Sequence, residues 1–168
     1  MDRPDRSKVS GPKLVMKNFL CENIAYVIWA DDKILDDEWL AAKNILKKYN
    51  LNWEEGKSLI QGKINDLIEC VENESEEEAE EENEALDSFF DEDFEIENNL
   101  LPEGIDEFEL LKDLTSVALA DGELSYGELD IIHRLGKSFG ASEIMITAAI
   151  LEVVNNSKIK ISMALSDN

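Results

Sequence analysis

The sequence predicts an all-α fold: a single domain of two pseudo-symmetric three-helix halves packed around one core. Three observations predict it. Apolar residues recur at steps of three and four along most of the chain, and strand signals are nearly absent. One short pattern is written twice, ninety residues apart. Ala30-Asp31-Asp32-Lys33-Ile34-Leu35-Asp36-Asp37-Glu38-Trp39 is echoed by Ala120-Asp121-Gly122-Glu123-Leu124-Ser125-Tyr126-Gly127-Glu128-Leu129. The register also holds beyond that decapeptide, since Tyr49 pairs with Phe139 and Asn52 with Ser142 at the same offset.

Residues 1–12, with Pro4, Gly11 and Pro12, are expected to form a disordered tail. The helical domain is set at 13–156. Its first helix carries Leu20, Ile24, Val27 and Ile28 and ends at the first acidic turn. The second begins near Asp36 and carries Trp39, Ala42, Ile45, Leu46 and Tyr49. Asn50 suits its C-terminal end, and Asn52 can N-cap the third helix, with Trp53, Ile60, Ile64, Leu67 and Ile68. The first half is thus 13–70, followed by an acidic insert at 71–104. In the second half, 105–156, Phe108, Leu111, Leu114, Thr115 and Ala118 share one side of a helix. Leu129, Ile132, Leu135 and Phe139 mark the next, closed by Gly140. Ser142 can N-cap the last, with Ile146, Ile150, Val153 and Val154. Residues 157–168 are expected to be a loose tail, extended at most over Ile159–Met163. A half of this size is marginal alone, so the economical arrangement packs the two halves together.

Charge narrows the function. The formal net charge is −23, but residues 71–104 hold sixteen Asp and Glu and no Lys or Arg, leaving −7 for the rest. Such a chain lacks the basic face that phosphate binding requires, so direct nucleic-acid binding is not expected. No stretch reaches the length of a membrane span, and the first seventeen residues hold no apolar leader. A cytoplasmic protein is expected. Cys21 and Cys70 have no metal-ligand spacing and are read as reduced thiols in the core. His133, the only histidine, has no nucleophile or acid companion at a useful spacing.

The acidic turns carry the candidate chemistry. The first collects Asp31, Asp32, Asp36, Asp37 and Glu38 against one lysine; the second offers Asp121, Glu123 and Glu128. Hard divalent cations such as calcium or magnesium bind clustered oxygens of this kind. Of these, Asp31, Asp32, Asp36, Glu38, Asp121, Glu123 and Glu128 form the candidate ligand set. The pattern is not an EF-hand: counting from Asp121 puts Tyr126 and Ile132 at loop positions 6 and 12, and counting from Asp31 puts Asp36 and Ala42 there. A purely structural reading stands beside the cation reading. Ser125 and Glu128 have the spacing of a capping box, whereas Leu35 occupies the corresponding place in the first copy. Asp31 and Asp121 can hydrogen-bond their own turns.

Around these residues, Ser116 to Ser142 (SVALADGELSYGELDIIHRLGKSFGAS) and Tyr26 to Asn52 (YVIWADDKILDDEWLAAKNILKKYNLN) resemble the core motif of the TerB-like (tellurite-resistance protein B) family. The resemblance covers roughly 14–70 and 105–156. It implies an all-α fold of two pseudo-symmetric halves and a non-enzymatic, acidic, cation-binding interaction module. The acidic positions of the family fall on Asp31, Glu38, Asp121 and Glu128. Related domains occur in tellurite-resistance systems and in some membrane-anchored J-domain co-chaperones. This chain departs from the pattern at Asp32, where the second copy has Gly122, and in its long acidic insert. It has no His-Pro-Asp signature, so co-chaperone activity does not carry over.

The expected function is therefore a cytoplasmic binding module with a protein partner and a divalent-cation site, linked to stress or tellurite resistance by resemblance alone. Two alternatives come from other classes. One is a hydrolase using the carboxylates to hold a catalytic metal in a pocket joining both turns. The other is an acidic decoy or inhibitor of a basic or nucleic-acid-binding partner. Within the insert, Leu86, Phe89, Phe90 and Phe94 fall at helical spacing among acids. That stretch reads either as a linker or as an acidic amphipathic segment that docks on this domain or on a basic partner. Sequence leaves the oligomeric state open.

Overall fold

The computed structural model describes residues 11–31, 33–77, 96 and 100–157. They form six α-helices in one domain: α1 (Gly11–Trp29), α2 (Asp36–Lys48), α3 (Trp53–Glu77), α4 (Glu107–Ala118), α5 (Tyr126–Ser138) and α6 (Glu143–Asn156). A single 3-10 turn, Leu119–Asp121, extends α4 into the second acidic turn. Among the described residues there is no strand and no helix long and apolar enough to cross a membrane.

Helix α1 lies at the centre. From Leu20 to Ala30 every residue except Glu22 is buried, which accounts for the unbroken apolar run at Ile24–Ala30. It packs on α3 and α4, and α4 in turn packs on α6. Helix α2 also lies against α4, and α5 against α1. One continuous core results, including Ile24, Ile28, Leu46, Ile60, Leu111, Leu114, Ile132 and Leu135.

Local hydrogen bonding repeats at the ninety-residue offset. After α2, Leu51 N–H donates to the Leu46 carbonyl at 2.8 Å and Asn50 N–H to Lys47 at 3.0 Å. After α5, Ala141 N–H donates to Gly136 and Gly140 N–H to Lys137, both at 2.9 Å. This is the Schellman closure, with Asn50 and Gly140 as the left-handed residues. Asn52 caps α3 through Glu55 N–H, and Ser142 caps α6 through Met145 N–H. The cores complement one another at equivalent positions. A Cβ on Gly56 would collide with Leu46 Cδ1, and one on Gly136 would meet Ile146 at 2.6 Å. At positions ninety residues apart the partners are interchanged: Leu46 and Gly56 in one pair answer to Gly136 and Ile146 in the other.

Several expectations need correction. Helix α1 starts at Gly11, inside the expected tail, because Pro12 in a first helical turn has its φ already set and lacks no needed N–H. Helix α3 continues to Glu77, taking in the first seven residues of the expected insert, because glutamate is a good helix former that a solvated helix carries easily. The rest of that insert up to Leu100, apart from Ile96, lies outside the described residues, as do residues 158–168 with Ile159–Met163. Cys21 is buried, and burial pushes its thiol up to about 11. Cys70 is exposed on α3 and is not a core thiol. Ile68 is likewise exposed.

Candidate cation site

Both acidic turns begin with the same local device. Asp31 Oδ1 accepts from Lys33 N–H at 3.0 Å, and Asp121 Oδ1 accepts from Glu123 N–H at 2.9 Å. Each aspartate thus folds the chain back on itself and leaves Oδ2 outside that bond. Gly122 takes the left-handed conformation, φ 92°, that closes the second turn.

The glutamates sit one step further on, in the first turns of α2 and α5. Glu128 Oε2 accepts from Ser125 N–H at 2.7 Å, and Ser125 Oγ accepts from Glu128 N–H at 3.2 Å, a complete capping box. Glu38 Oε2 accepts from Leu35 N–H at 2.9 Å. The glutamate half of the box is therefore present in the first copy too, although leucine supplies no side-chain acceptor.

The two turns meet. One carboxylate oxygen from each of Asp31, Glu38 and Glu128 lies within 4.8 Å of the others. Glu38 is 1% exposed and Glu128 is 2% exposed, while Asp31 is half-buried. The sequence repeat thus converges on one cluster fed by both copies. Gly127 permits this convergence. A Cβ there would collide with the Ala30 carbonyl oxygen, so only glycine lets the start of α5 approach the end of α1 so closely.

Burial dominates the electrostatics. It pushes the Glu38 carboxyl up to about 8, with the charges of Asp31, Glu128 and Asp121 adding to it and the Leu35 N–H opposing. Glu128 is pushed up to about 7, again chiefly by burial, with Asp31 and Asp121 adding and the Ser125 hydrogen bonds opposing. The charges acting on both groups are acidic.

The other sequence candidates divide as follows. Asp121 is exposed at the edge and reaches both glutamates through its charge. Asp36, Asp37 and Glu123 are exposed and not in the cluster. Asp32 lies outside the described residues. His133 pairs with Glu143 at 3.3 Å on the α5–α6 side. Sequence reasoning missed Gly127, a glycine inside a helix start with no turn to make; that misplacement was the available signal.

No family model, curated protein or solved structure matches this chain.

Proposed function

We propose that this chain is a non-enzymatic, acidic helical interaction module built on a duplicated three-helix unit, whose two turns jointly hold one divalent cation. The observation that carries the reading is the convergence of Asp31, Glu38 and Glu128 from both copies within 4.8 Å. The donor set is all oxygen, with one carboxylate oxygen from each residue in reach of the others, which suits hard ions such as calcium or magnesium and disfavours soft ones. A bound divalent cation would offset two of the three carboxylate charges and favour the ionised form of both buried glutamates, releasing their protons. Asp31 and the two glutamates would be direct ligands, with Asp121 acting through its charge. The resemblance to the TerB-like family supports the same reading and lends it the link to stress or tellurite resistance.

The burial also argues against the hydrolase alternative. A catalytic metal needs an open coordination position beside a substrate, and two of these three carboxylates are all but sealed.

Calorimetric titration of calcium, then magnesium, into the metal-free protein tests the reading. Asp31→Asn should abolish the heat, while Asp121→Asn should weaken it and Asp36→Asn leave it unchanged. Equal heats in wild type and Asp31→Asn, with the fold intact by circular dichroism, would remove the cation site.

A further inference from the structure

A second feature lies on α2 and the start of α3, where Trp39 directly follows Glu38 in the chain. Trp39 and Trp53 meet edge to face, with centroids 6.2 Å apart, and both are half-buried. Lys43 Nζ stands 5.9 Å from the Trp53 ring and Lys57 Nζ 5.9 Å from the Trp39 ring. Beside them, Lys43, Lys47, Asn50, Leu51 and Trp53 line a surface hollow of about 340 Å³.

Half of the described lysines are committed to ion pairs and half, including Lys13 and Lys33, are not. Lys17, Lys48, Lys63, Lys112 and Lys137 all hold carboxylates. Among the described residues no carboxylate lies within ion-pairing distance of Lys43, Lys47 or Lys57, and all three are exposed. A chain with 39 acids and 16 bases thus gathers three uncommitted lysines around two tryptophans.

The course of the chain indicates what meets them. Helices α1 and α3 run in the same direction, since Lys17 pairs with Glu55 and Glu22 with Lys63. Helix α3 carries the chain about 36 Å away from Trp53 before it ends at Glu77. By Gly104, which packs on Met16 at the start of α1, the chain is back at the Trp53 end. The Lys48–Asp113 pair at 2.8 Å brings α2 and α4 together at this same end. The stretch that makes the return is rich in acids and carries Phe89, Phe90 and Phe94. Ten residues separate Phe94 from Gly104, a reach of up to about 33 Å.

We propose that the Trp39–Trp53 patch with Lys43, Lys47 and Lys57 is a docking surface for this chain's own acidic, phenylalanine-bearing stretch, residues 84–95. The carboxylates match the lysines in charge, and the rings match the tryptophans and the hollow. The proposal does not depend on cation binding, because it shares no residue with the acidic cluster.

Zero-length carbodiimide cross-linking of the full chain tests it, using a mixture of normal and heavy-isotope copies. Lys17–Glu55 and Lys48–Asp113 serve as internal standards. The expected result is cross-links from Lys43, Lys47 or Lys57 to acids of 84–95 within copies of one mass. Phe89→Ala, Phe90→Ala and Phe94→Ala together should lower that yield about tenfold against the standards, as the apolar contact is lost. Three results would overturn the proposal: standards that form while the patch lysines stay unlinked, patch cross-links that join copies of different mass, and a yield indifferent to the phenylalanines. The second would assign the patch to a second copy.

Discussion

Replacing Glu38 with glutamine should stabilise the metal-free protein at high pH and leave it unchanged at low pH. Glutamine keeps an oxygen for the Leu35 N–H and removes only the ability to ionise. In wild type the Glu38 carboxyl is raised from 4.5 to about 8. The folded state therefore retains a proton that the unfolded chain releases as pH passes 4.5. Stability is unaffected below that value, falls as pH rises, and levels off above about 8. At 1.36 kcal/mol per pH unit the shift bounds the penalty at about 5 kcal/mol, and relaxation in an effective dielectric near 20 brings it to about 2–3 kcal/mol. For a chain of this size that is about 5–10 °C in melting temperature. Thermal unfolding by circular dichroism in EDTA, from pH 4 to pH 9, reads it. Glu38→Gln should match wild type at pH 4 and melt higher at pH 9. Adding calcium at pH 8 should reverse the order, because only wild type keeps the full ligand set. A difference independent of pH, or a variant less stable than wild type at pH 9, would refute the reasoning.

Two further outcomes follow from the packing. Gly127→Ala places a Cβ against the Ala30 carbonyl, so it should cost about 1–3 kcal/mol and weaken calcium binding. Gly122→Ala, whose Cβ meets nothing within 4 Å, should strain only the turn; paired denaturation and titration curves separate the two. Leu46→Ala should cost about 2–5 kcal/mol, and Gly56→Ala alone should also destabilise. The double variant should lose about 1–2 kcal/mol less than the sum, because the new methyl occupies space that Leu46 vacates; additive urea midpoints would contradict that account.

Much of the fold was legible because it is written in local signals. The three- and four-residue steps found all six helices, and Asn52, Ser125 and Ser142 marked their starts as caps. Boundaries were less legible where composition misled. An acidic run looks like a linker, yet glutamate extends α3 without difficulty as far as Glu77. Burial of a single cysteine or isoleucine depends on which helix faces it, so Cys70 and Ile68 went astray. The candidate site was half legible. The ninety-residue repeat named the three acids that converge, together with Asp121 at the edge, but a repeat cannot say whether its copies stand apart or meet. That depends on α2 crossing to α4 and α5 to α1, and on the close approach at Gly127.

The buried glutamates are what separates capping from cation binding. A capping box needs an acceptor for one backbone N–H, which either glutamine or glutamate supplies, the carboxylate more strongly when it is charged. Glutamine would also avoid ionisation in a site where burial and neighbouring acids raise both groups. Capping therefore accounts for the hydrogen bonds at Leu35 and Ser125, but the charged form that makes a carboxylate the better cap is the form that burial disfavours at both places. Nor does it account for Asp31, whose turn bond uses one oxygen and whose charge opposes both glutamates. A divalent cation accounts for all three at once. A bound ion would convert mutual repulsion into shared attraction, would need the carboxylates in their charged form, and would join the two acidic turns. On this reading the duplicated turn is the means by which two helical units each contribute part of a site that neither holds alone.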